Sequence, residues 1–357
     1  MRCTNKKRIS VMQRFALQRF ALLRFSMQRF SMQRFALFCS TIICIMSLAG
    51  CSSANYEMGY NPDSDISSFN IISRQKGGLA DPFAADLCIV TNDIIPYAGG
   101  ESDNLSRATA SVLFCVDNST VLYAKNAHET LYPASLTKVL TALVALKYGS
   151  PDQVLKATDS VNITESGAQL CGLKSGDTMT LDQALHILLM YSANDTAMMI
   201  AENVGGTLER FMEMMNEEAR ALGATNSNFV NPHGLSDDKH YSTAYDQYLI
   251  FNEAIKYDKF KEIIRMTSYQ TTYYDKDGNA KELSVDNTNQ YFRGNYDSPE
   301  NVTIMGGKTG TTNAAGHCLI LLSRDTNSVS YISVILRSDE KDFLYYGMSD
   351  LLEEILK

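Results

Sequence analysis

The chain has 357 residues, 40 of them acidic and 32 basic, with a formal net charge of −8 at pH 7 and 45% hydrophobic residues. The acidic balance argues against a nucleic-acid partner, because binding to phosphate backbones requires an excess of lysine and arginine. The histidines lack the spacing of a zinc site, so the sequence predicts no metal and no cofactor; they are His128, His186, His233, His240 and His317.

Residues 1–50 have the composition of a segment that is removed from the mature protein. They contain nine lysine and arginine residues, no acidic residue, and an apolar stretch at 35–47 that is too short to span a bilayer comfortably. This stretch leads into Leu48-Ala49-Gly50-Cys51, an ending that resembles the lipobox of bacterial lipoproteins. We therefore expect a lipoprotein signal peptide with Cys51 as the lipidated first residue. The alternatives are an ordinary signal peptide, an uncleaved anchor or a transit peptide.

An Arg-Phe pair recurs every five residues between residues 14 and 35. A step of five advances a helix by about 140°, so the repeat forms no single apolar stripe. We interpret it as a duplicated tract upstream of a start at Met27 or Met32. Without residues 1–50 the chain keeps 23 basic and 40 acidic residues, a net charge near −17. Polar residues 51–81 are predicted to be a flexible tether, and residues 82–357 the catalytic domain.

The catalytic region begins with two β-rich segments and alternates afterwards between helical and strand patterns. Thr180 and Gln183 form a predicted capping box for a helix at 181–190. Strands are predicted at 107–117, 121–125, 317–323 and 328–336, and further helices at 207–222, 243–257 and 338–356. This order predicts an α+β fold with two subdomains, in which an antiparallel sheet flanked by helices joins a mostly helical subdomain.

Three short motifs supply the groups of an acyl-transfer centre. They are Ser135-Leu136-Thr137-Lys138, Ser192-Ala193-Asn194 and Lys308-Thr309-Gly310-Thr311. In a helix the Ser135 and Lys138 side chains share one face, with Cβ atoms about 5–6 Å apart. A lysine amine can take a serine proton only where burial or nearby cations lower its pKa. The largely apolar run at 139–146 predicts a buried helix and hence a partly dry site.

Each motif also has a structural interpretation. Lys138 could be a solvated helix residue, and Ser192 and Asn194, with Asp195, could cap a helix at 196–203. The third motif could be a strand edge with a glycine bend. The order of the three motifs at domain-scale spacing favours the catalytic interpretation.

The motif set resembles that of the serine D-alanyl-D-alanine carboxypeptidases, which are low-molecular-mass penicillin-binding proteins. The likeness covers about residues 85–357 and extends to residues 121–127, 133–134, 172–177, 231–235, 242–246 and 287–289. Tyr245 departs from the basic residue that is frequent there, and residues 266–305 are divergent. Thr243 and Asp246 still fit a capping box, so we interpret Asp246 as structural rather than catalytic.

The resemblance implies the β-lactamase/transpeptidase-like fold and a role for each motif residue. The backbone N–H groups of residues 135 and 311 would form the oxyanion hole. The implied assignments are Ser135 as acyl nucleophile, Lys138 as general base, Ser192 as proton relay, Asn194 as holder of the substrate amide, Lys308 as a source of positive potential, and Thr309, Gly310 and Thr311 as substrate-binding residues, with both threonines at the terminal carboxylate.

The function that the resemblance implies is removal of the terminal D-alanine from peptidoglycan pentapeptide stems, with covalent inhibition by β-lactams. Export and lipid anchoring would place the enzyme on the outer face of the bacterial cell membrane. A D,D-endopeptidase, a β-lactamase and a non-catalytic penicillin-binding lipoprotein are the alternatives. Class A β-lactamases add a deacylating glutamate, and residues 226–234 contain none.

Four cysteines lie in the catalytic region and allow three pairings if all are oxidised. Cys115 and Cys318 fall in apolar strands, so we interpret them as core thiols. Export would permit disulfides involving them or Cys88 and Cys171.

Overall fold

The computed structural model describes residues 87–96 and 100–357. The predicted signal peptide, Cys51 and the tether lie outside the described residues. The helices are α1 Asp103–Ser106, α2 Thr137–Tyr148, α3 Leu181–His186, α4 Asn194–Gly205, α5 Leu208–Ala221, α6 Ala244–Ala254, α7 Asp258–Ile264 and α8 Lys341–Glu353. The strands are β1 Ala108–Cys115, β2 Thr120–Lys125, β3 Val154–Lys156, β4 Thr178–Thr180, β5 Ser268–Tyr274, β6 Ala280–Asp286, β7 Thr303–Thr312, β8 Gly316–Arg324 and β9 Ser330–Ser338.

A five-stranded antiparallel sheet organises the domain, in the order β2-β1-β9-β8-β7. Its central strands β1, β9 and β8 are buried on both faces because helices cover both sides of the sheet. One face carries Val112, Ile320 and Val334 into a core shared with α2 and α6. The other face packs against α8, which supplies Leu344, Tyr345, Met348, Leu351 and Leu352. Each large apolar side chain that is fully buried there contributes about 1.5–3 kcal/mol to the free energy of unfolding.

The helical part of the domain is built around α2, which is buried from Thr137 to Ala145. Helix α5 is capped by the Thr207 side chain and buries one face that includes Phe211 and Met215. The predicted Thr180–Gln183 capping box is present at the start of α3. The α+β prediction is therefore confirmed, together with the predicted segments of β1, β2, β8, β9, α5, α6 and α8.

The structure corrects two details of the predicted fold. The helical subdomain also contains a second antiparallel sheet, in the order β3-β4-β5-β6, which the sequence analysis did not predict. The predicted helix at 181–190 becomes a π-helical turn at Ile187–Tyr191.

Thr243 accepts the Asp246 N–H at 3.0 Å, but the Asp246 carboxylate accepts from Asn226 N–H and from Ser227. Asp246 thus has the predicted structural role, reaching a neighbouring loop.

The four cysteines of the described residues are free thiols, with Cys115 and Cys318 buried as predicted. Among residues 87–96 and 100–357, no helix combines the length and the hydropathy needed to cross a membrane.

Candidate active site

Ser135 lies on a 3-10 turn, Ala134–Leu136, immediately before α2. Ala134 has φ +48°, a left-handed conformation that costs free energy in a residue with a Cβ. The turn is held because the Thr137 hydroxyl donates to the Ala134 carbonyl at 2.8 Å. Gly234 packs so closely on that carbonyl that a Cβ at 234 would lie 1.9 Å from the oxygen. Position 234 therefore has to be glycine for this turn to form.

Lys138 begins the same helix, and its side chain is completely buried. Its Nζ lies 3.0 Å from Ser135 Oγ, 2.6 Å from Asn194 Oδ1 and 2.6 Å from the His233 carbonyl oxygen. The last two oxygens can only accept hydrogen bonds. A neutral amine that donates its two protons to them therefore directs its lone pair at the Ser135 hydroxyl.

The protonation of Lys138 is set by its surroundings. Burial lowers the pKa of its amine well below 10.5, the positive charge of Lys308 lowers it further, and Asp195 partly opposes both effects. Burial penalises the charged form because a low-dielectric interior solvates an ammonium poorly. The geometry and the direction of the shift together suit a general base.

Ser192 and Lys308 form a second buried pair. The π-helical turn at Ile187–Tyr191 ends at Ser192, which has φ +69°, and Lys308 lies in β7 with 1% of its surface exposed. Its Nζ donates to Ser192 Oγ at 2.8 Å and to the Thr309 carbonyl at 2.9 Å. Burial lowers the pKa of Lys308 to about 7.

The capping interpretation of the second motif is wrong for Ser192 and Asn194, although the Asp195 carboxylate accepts the Thr196 N–H in the first turn of α4 at 2.9 Å. Ala193 is the N-cap of α4 and makes no side-chain cap bond, while the Ser192 and Asn194 side chains bond the two lysines. The carboxylate that follows them, on Asp195, accepts N–H bonds from Gly172 at 2.9 Å and Leu173 at 3.1 Å. This carboxylate fixes the neighbouring loop against the start of α4.

A cavity of about 370 Å³ joins the three motifs. Its lining includes Ser135, Ser192, Asn194 and the third motif from Thr309 to Thr311. Gly310 allows β7 to approach the Ser135 turn, since a Cβ there would lie 3.0 Å from Ser135 N. The buried Lys138 and Lys308 amines reach the cavity through Ser135 and Ser192.

Several cavity residues were not predicted as site residues. Gln169, Thr288, Gln290, His317 and Lys341 line the wall, and the Thr288 and Thr309 hydroxyls lie 2.6 Å apart. For Thr288 the nearest sequence signal was the family likeness at 287–289, and for His317 it was the position at the start of a predicted strand. Within the described ranges, no three His, Cys, Asp or Glu side chains converge as a metal site would require.

Comparison with known proteins places this geometry in a family. The sequence model of the D-alanyl-D-alanine carboxypeptidase family, peptidase S11, matches residues 100–340. The chain is 32% identical over 247 residues to D-alanyl-D-alanine carboxypeptidase DacF of Bacillus subtilis, covering 68% of this chain and 60% of DacF. It thus spans less than two thirds of the length of that relative.

Two further proteins are similar. A D-alanyl-D-alanine endopeptidase of Pseudomonas aeruginosa is 31% identical over 231 residues, covering 64% of this chain and 71% of that protein. The crystal structure of a D-alanyl-D-alanine carboxypeptidase of Mycobacterium tuberculosis superposes with a TM-score of 0.64 at 26% identity, covering 74% of this chain and 96% of that one. The chain therefore belongs to the D-alanyl-D-alanine carboxypeptidase family, peptidase S11.

Proposed function

We propose that this protein is a serine D,D-carboxypeptidase that removes the terminal D-alanine from peptidoglycan pentapeptide stems. The observation that carries the proposal is the contact of the buried Lys138 amine with Ser135 at 3.0 Å, at the wall of a cavity large enough for a dipeptide. Family membership supports the same substrate class.

Acylation begins when neutral Lys138 takes the Ser135 proton and Oγ attacks the carbonyl between the last two D-alanines. The N–H groups of Ser135 and Thr311 donate hydrogen bonds to the developing oxyanion. Each such donor stabilises the transition state by about 2.7–4 kcal/mol. Asn194 uses its Oδ1 on Lys138, so its amide N–H₂ remains available to hold the substrate amide.

The leaving D-alanine needs a proton on its amine, and Ser192 acts as the relay: it donates its hydroxyl proton to the amine and receives in exchange the proton that Lys138 took from Ser135, while Lys308 stabilises the charge next to Ser192. Thr309 and Thr311 hold the terminal carboxylate, and the missing Cβ of Gly310 lets the strand between them lie against the Ser135 turn. Water then attacks the ester on Ser135 and releases the shortened stem. A β-lactam acylates Ser135 in the same way but has no leaving group that departs.

Two other enzyme activities share this machinery. A D,D-endopeptidase is the nearest alternative, since one similar protein carries that name. A β-lactamase requires rapid deacylation, which class A enzymes achieve with a glutamate. Among the described residues that line the cavity there is no glutamate or aspartate, which favours a long-lived penicilloyl-enzyme.

The test is a parallel assay of the purified full chain with three substrates: a pentapeptide ending in D-Ala-D-Ala, a crosslinked muropeptide dimer and a chromogenic cephalosporin. We expect release of free D-alanine from the pentapeptide and slow cephalosporin turnover. Cleavage of the dimer alone would replace the proposal by the endopeptidase, and fast cephalosporin turnover by the β-lactamase. A non-catalytic lipoprotein would bind penicillin and process none of the three.

We further propose that a lipid on Cys51 anchors the exported enzyme at the outer face of the cell membrane. The sequence before Cys51 supports this, and a diacylated cysteine gives stable anchoring where a single chain does not. Metabolic labelling with an alkyne fatty acid should tag the wild-type chain and leave Cys51→Ser untagged. A Cys51→Ser chain that keeps the label would contradict this assignment.

A further inference from the structure

His317 stands at the open end of the cavity, where the mechanism above gives it no role. It lies in β8 directly opposite Thr311 of β7, and its Nδ1 is 3.2 Å from Thr311 Oγ1. Both side chains line the cavity that contains Ser135. An imidazole is therefore in contact with a hydroxyl that the proposed function assigns to the substrate carboxylate.

The charges around this imidazole come from the start of α8. Burial lowers the pKa of His317 below its ordinary 6.5, and the positive charge of Lys341 lowers it further, while Glu340 raises it. Its partners in the flanking strands, Thr311 and Ser338, are uncharged. The ring is therefore neutral at pH 7 before substrate binds.

The direction of the hydrogen bond between His317 and Thr311 decides whether the Thr311 hydroxyl can donate to a substrate carboxylate. The Thr311 hydroxyl has a single proton, and a carboxylate can only accept. If the Thr311 proton is donated to Nδ1, Oγ1 presents only lone pairs to the carboxylate. If Nδ1 carries the proton and donates to Oγ1, the Thr311 proton is free for the substrate. An imidazolium always provides the second arrangement, because both of its nitrogens carry a proton.

We propose that His317 is a positioning residue for recognition of the C-terminal carboxylate: its Nδ1–H donates to Thr311 Oγ1 and so turns the Thr311 hydroxyl toward the ligand. The inference rests on the proposed function and adds a determinant of ligand recognition to it. It also predicts a pH effect, since a carboxylate bound beside the ring raises the pKa of His317. By linkage, carboxylate binding strengthens as the pH falls through that raised pKa.

The test compares covalent labelling of the full chain by benzylpenicillin and by its methyl ester, which lacks the carboxylate charge. The measured quantity is the second-order rate constant for benzylpenicillin divided by that for its methyl ester, between about pH 5.5 and 8. Protonation of Lys138 slows both reactions equally and cancels from the ratio, whereas Lys308, whose pKa is about 7, also gains charge as the pH falls and favours the carboxylate in every chain. For the wild-type chain we expect the ratio to rise as the pH falls.

Three variants separate positioning from mere packing. His317→Leu should lower the ratio about tenfold at pH 7 and reduce its pH dependence to the part that Lys308 contributes. His317→Asn, whose amide can donate to Thr311 without titrating, should keep most of the ratio but show the same reduced pH dependence. His128→Leu, at a histidine outside the cavity lining, should behave as the wild type.

If His317→Leu changes both rate constants equally, so that their ratio is unchanged, the proposed role of His317 is wrong. A wild-type chain that neither compound labels would instead reject the proposed function. The two failures are therefore distinguishable.

Discussion

The two ends of the catalytic cavity are built differently. At the nucleophile end, the buried Lys138 amine contacts Ser135, Asn194 and the His233 carbonyl. At the leaving-group end, Thr311 is exposed and its hydroxyl contacts the imidazole of His317. Electrostatic interactions are strongest where water is excluded. The groups proposed to react are thus already held by buried contacts, whereas the groups proposed to bind the leaving D-alanine lie on an open surface.

The largest expected effect comes from breaking the buried end. Lys138→Met removes the base, so kcat/KM for D-alanine release should fall about 10²–10⁴-fold. The matched control is Lys147→Met on the same helix, where Lys147 bonds only the Glu218 carboxylate and activity should be unchanged. A Lys138→Met chain that retained wild-type activity would assign the base elsewhere.

Lys308 should rank second, because it acts through charge next to Ser192 rather than on the nucleophile. Lys308→Met should lower kcat/KM about 10²–10³-fold, the cost of removing one electrostatic donor. Lys308→Arg keeps a positive charge because a guanidinium stays protonated at every pH of the assay. The residual activity of this variant should therefore fall less at alkaline pH than that of the wild type. The pH profile of kcat/KM for the three chains measures this, and identical alkaline limbs would contradict it.

Asp195 acts on the nucleophile end, because its negative charge raises the pKa of Lys138. Asp195→Asn keeps one acceptor oxygen for the Gly172 and Leu173 N–H groups but removes the charge that raises the pKa of Lys138. We expect kcat/KM to fall about tenfold at its optimum through a looser loop and the acid limb to move to lower pH. An acid limb that stayed in place, measured from about pH 4 to 8, would show that Asp195 does not influence the base.

The last prediction concerns stability instead of activity. The pKa of Lys308 falls from 10.5 to about 7 on burial, so the unfolded chain binds more protons between those values. The free energy of unfolding should therefore rise with pH across that window. Lys308→Met should lose this rise and be more stable at pH 7 by about 1–3 kcal/mol. Denaturant unfolding of both chains at several pH values tests the difference, and parallel curves would contradict the account.

The sequence predicted the parts of the site that local patterns encode better than the parts that tertiary contacts bring together. Ser135 and Lys138 are three residues apart, so a local pattern suffices to bring them together. Asp195 and the His233 carbonyl depend on tertiary contacts: Lys138 meets His233 across 95 residues, and Asp195 meets Gly172 across 23. No local signal marks such meetings.

The same reason accounts for the missed sheet. Strands β3 and β4 have three residues each, too few for a period-2 pattern to be recognised. Strand β5 alternates exposed and more buried positions, but tyrosine and threonine stand on both of its faces and it lies in the divergent segment, so its sequence shows no contrast between an apolar and a polar face. The longer strands β1, β8 and β9 were predicted because both of their faces are buried.

The most direct test of the account is to locate the covalent adduct that benzylpenicillin forms with the wild-type chain, by intact mass and peptide mapping. We predict one penicilloyl group, on the peptide containing Ser135, and no adduct on a Ser135→Ala chain. An adduct on another residue, or undiminished labelling of Ser135→Ala, would contradict the assignment of Ser135 and Lys138 as nucleophile and base.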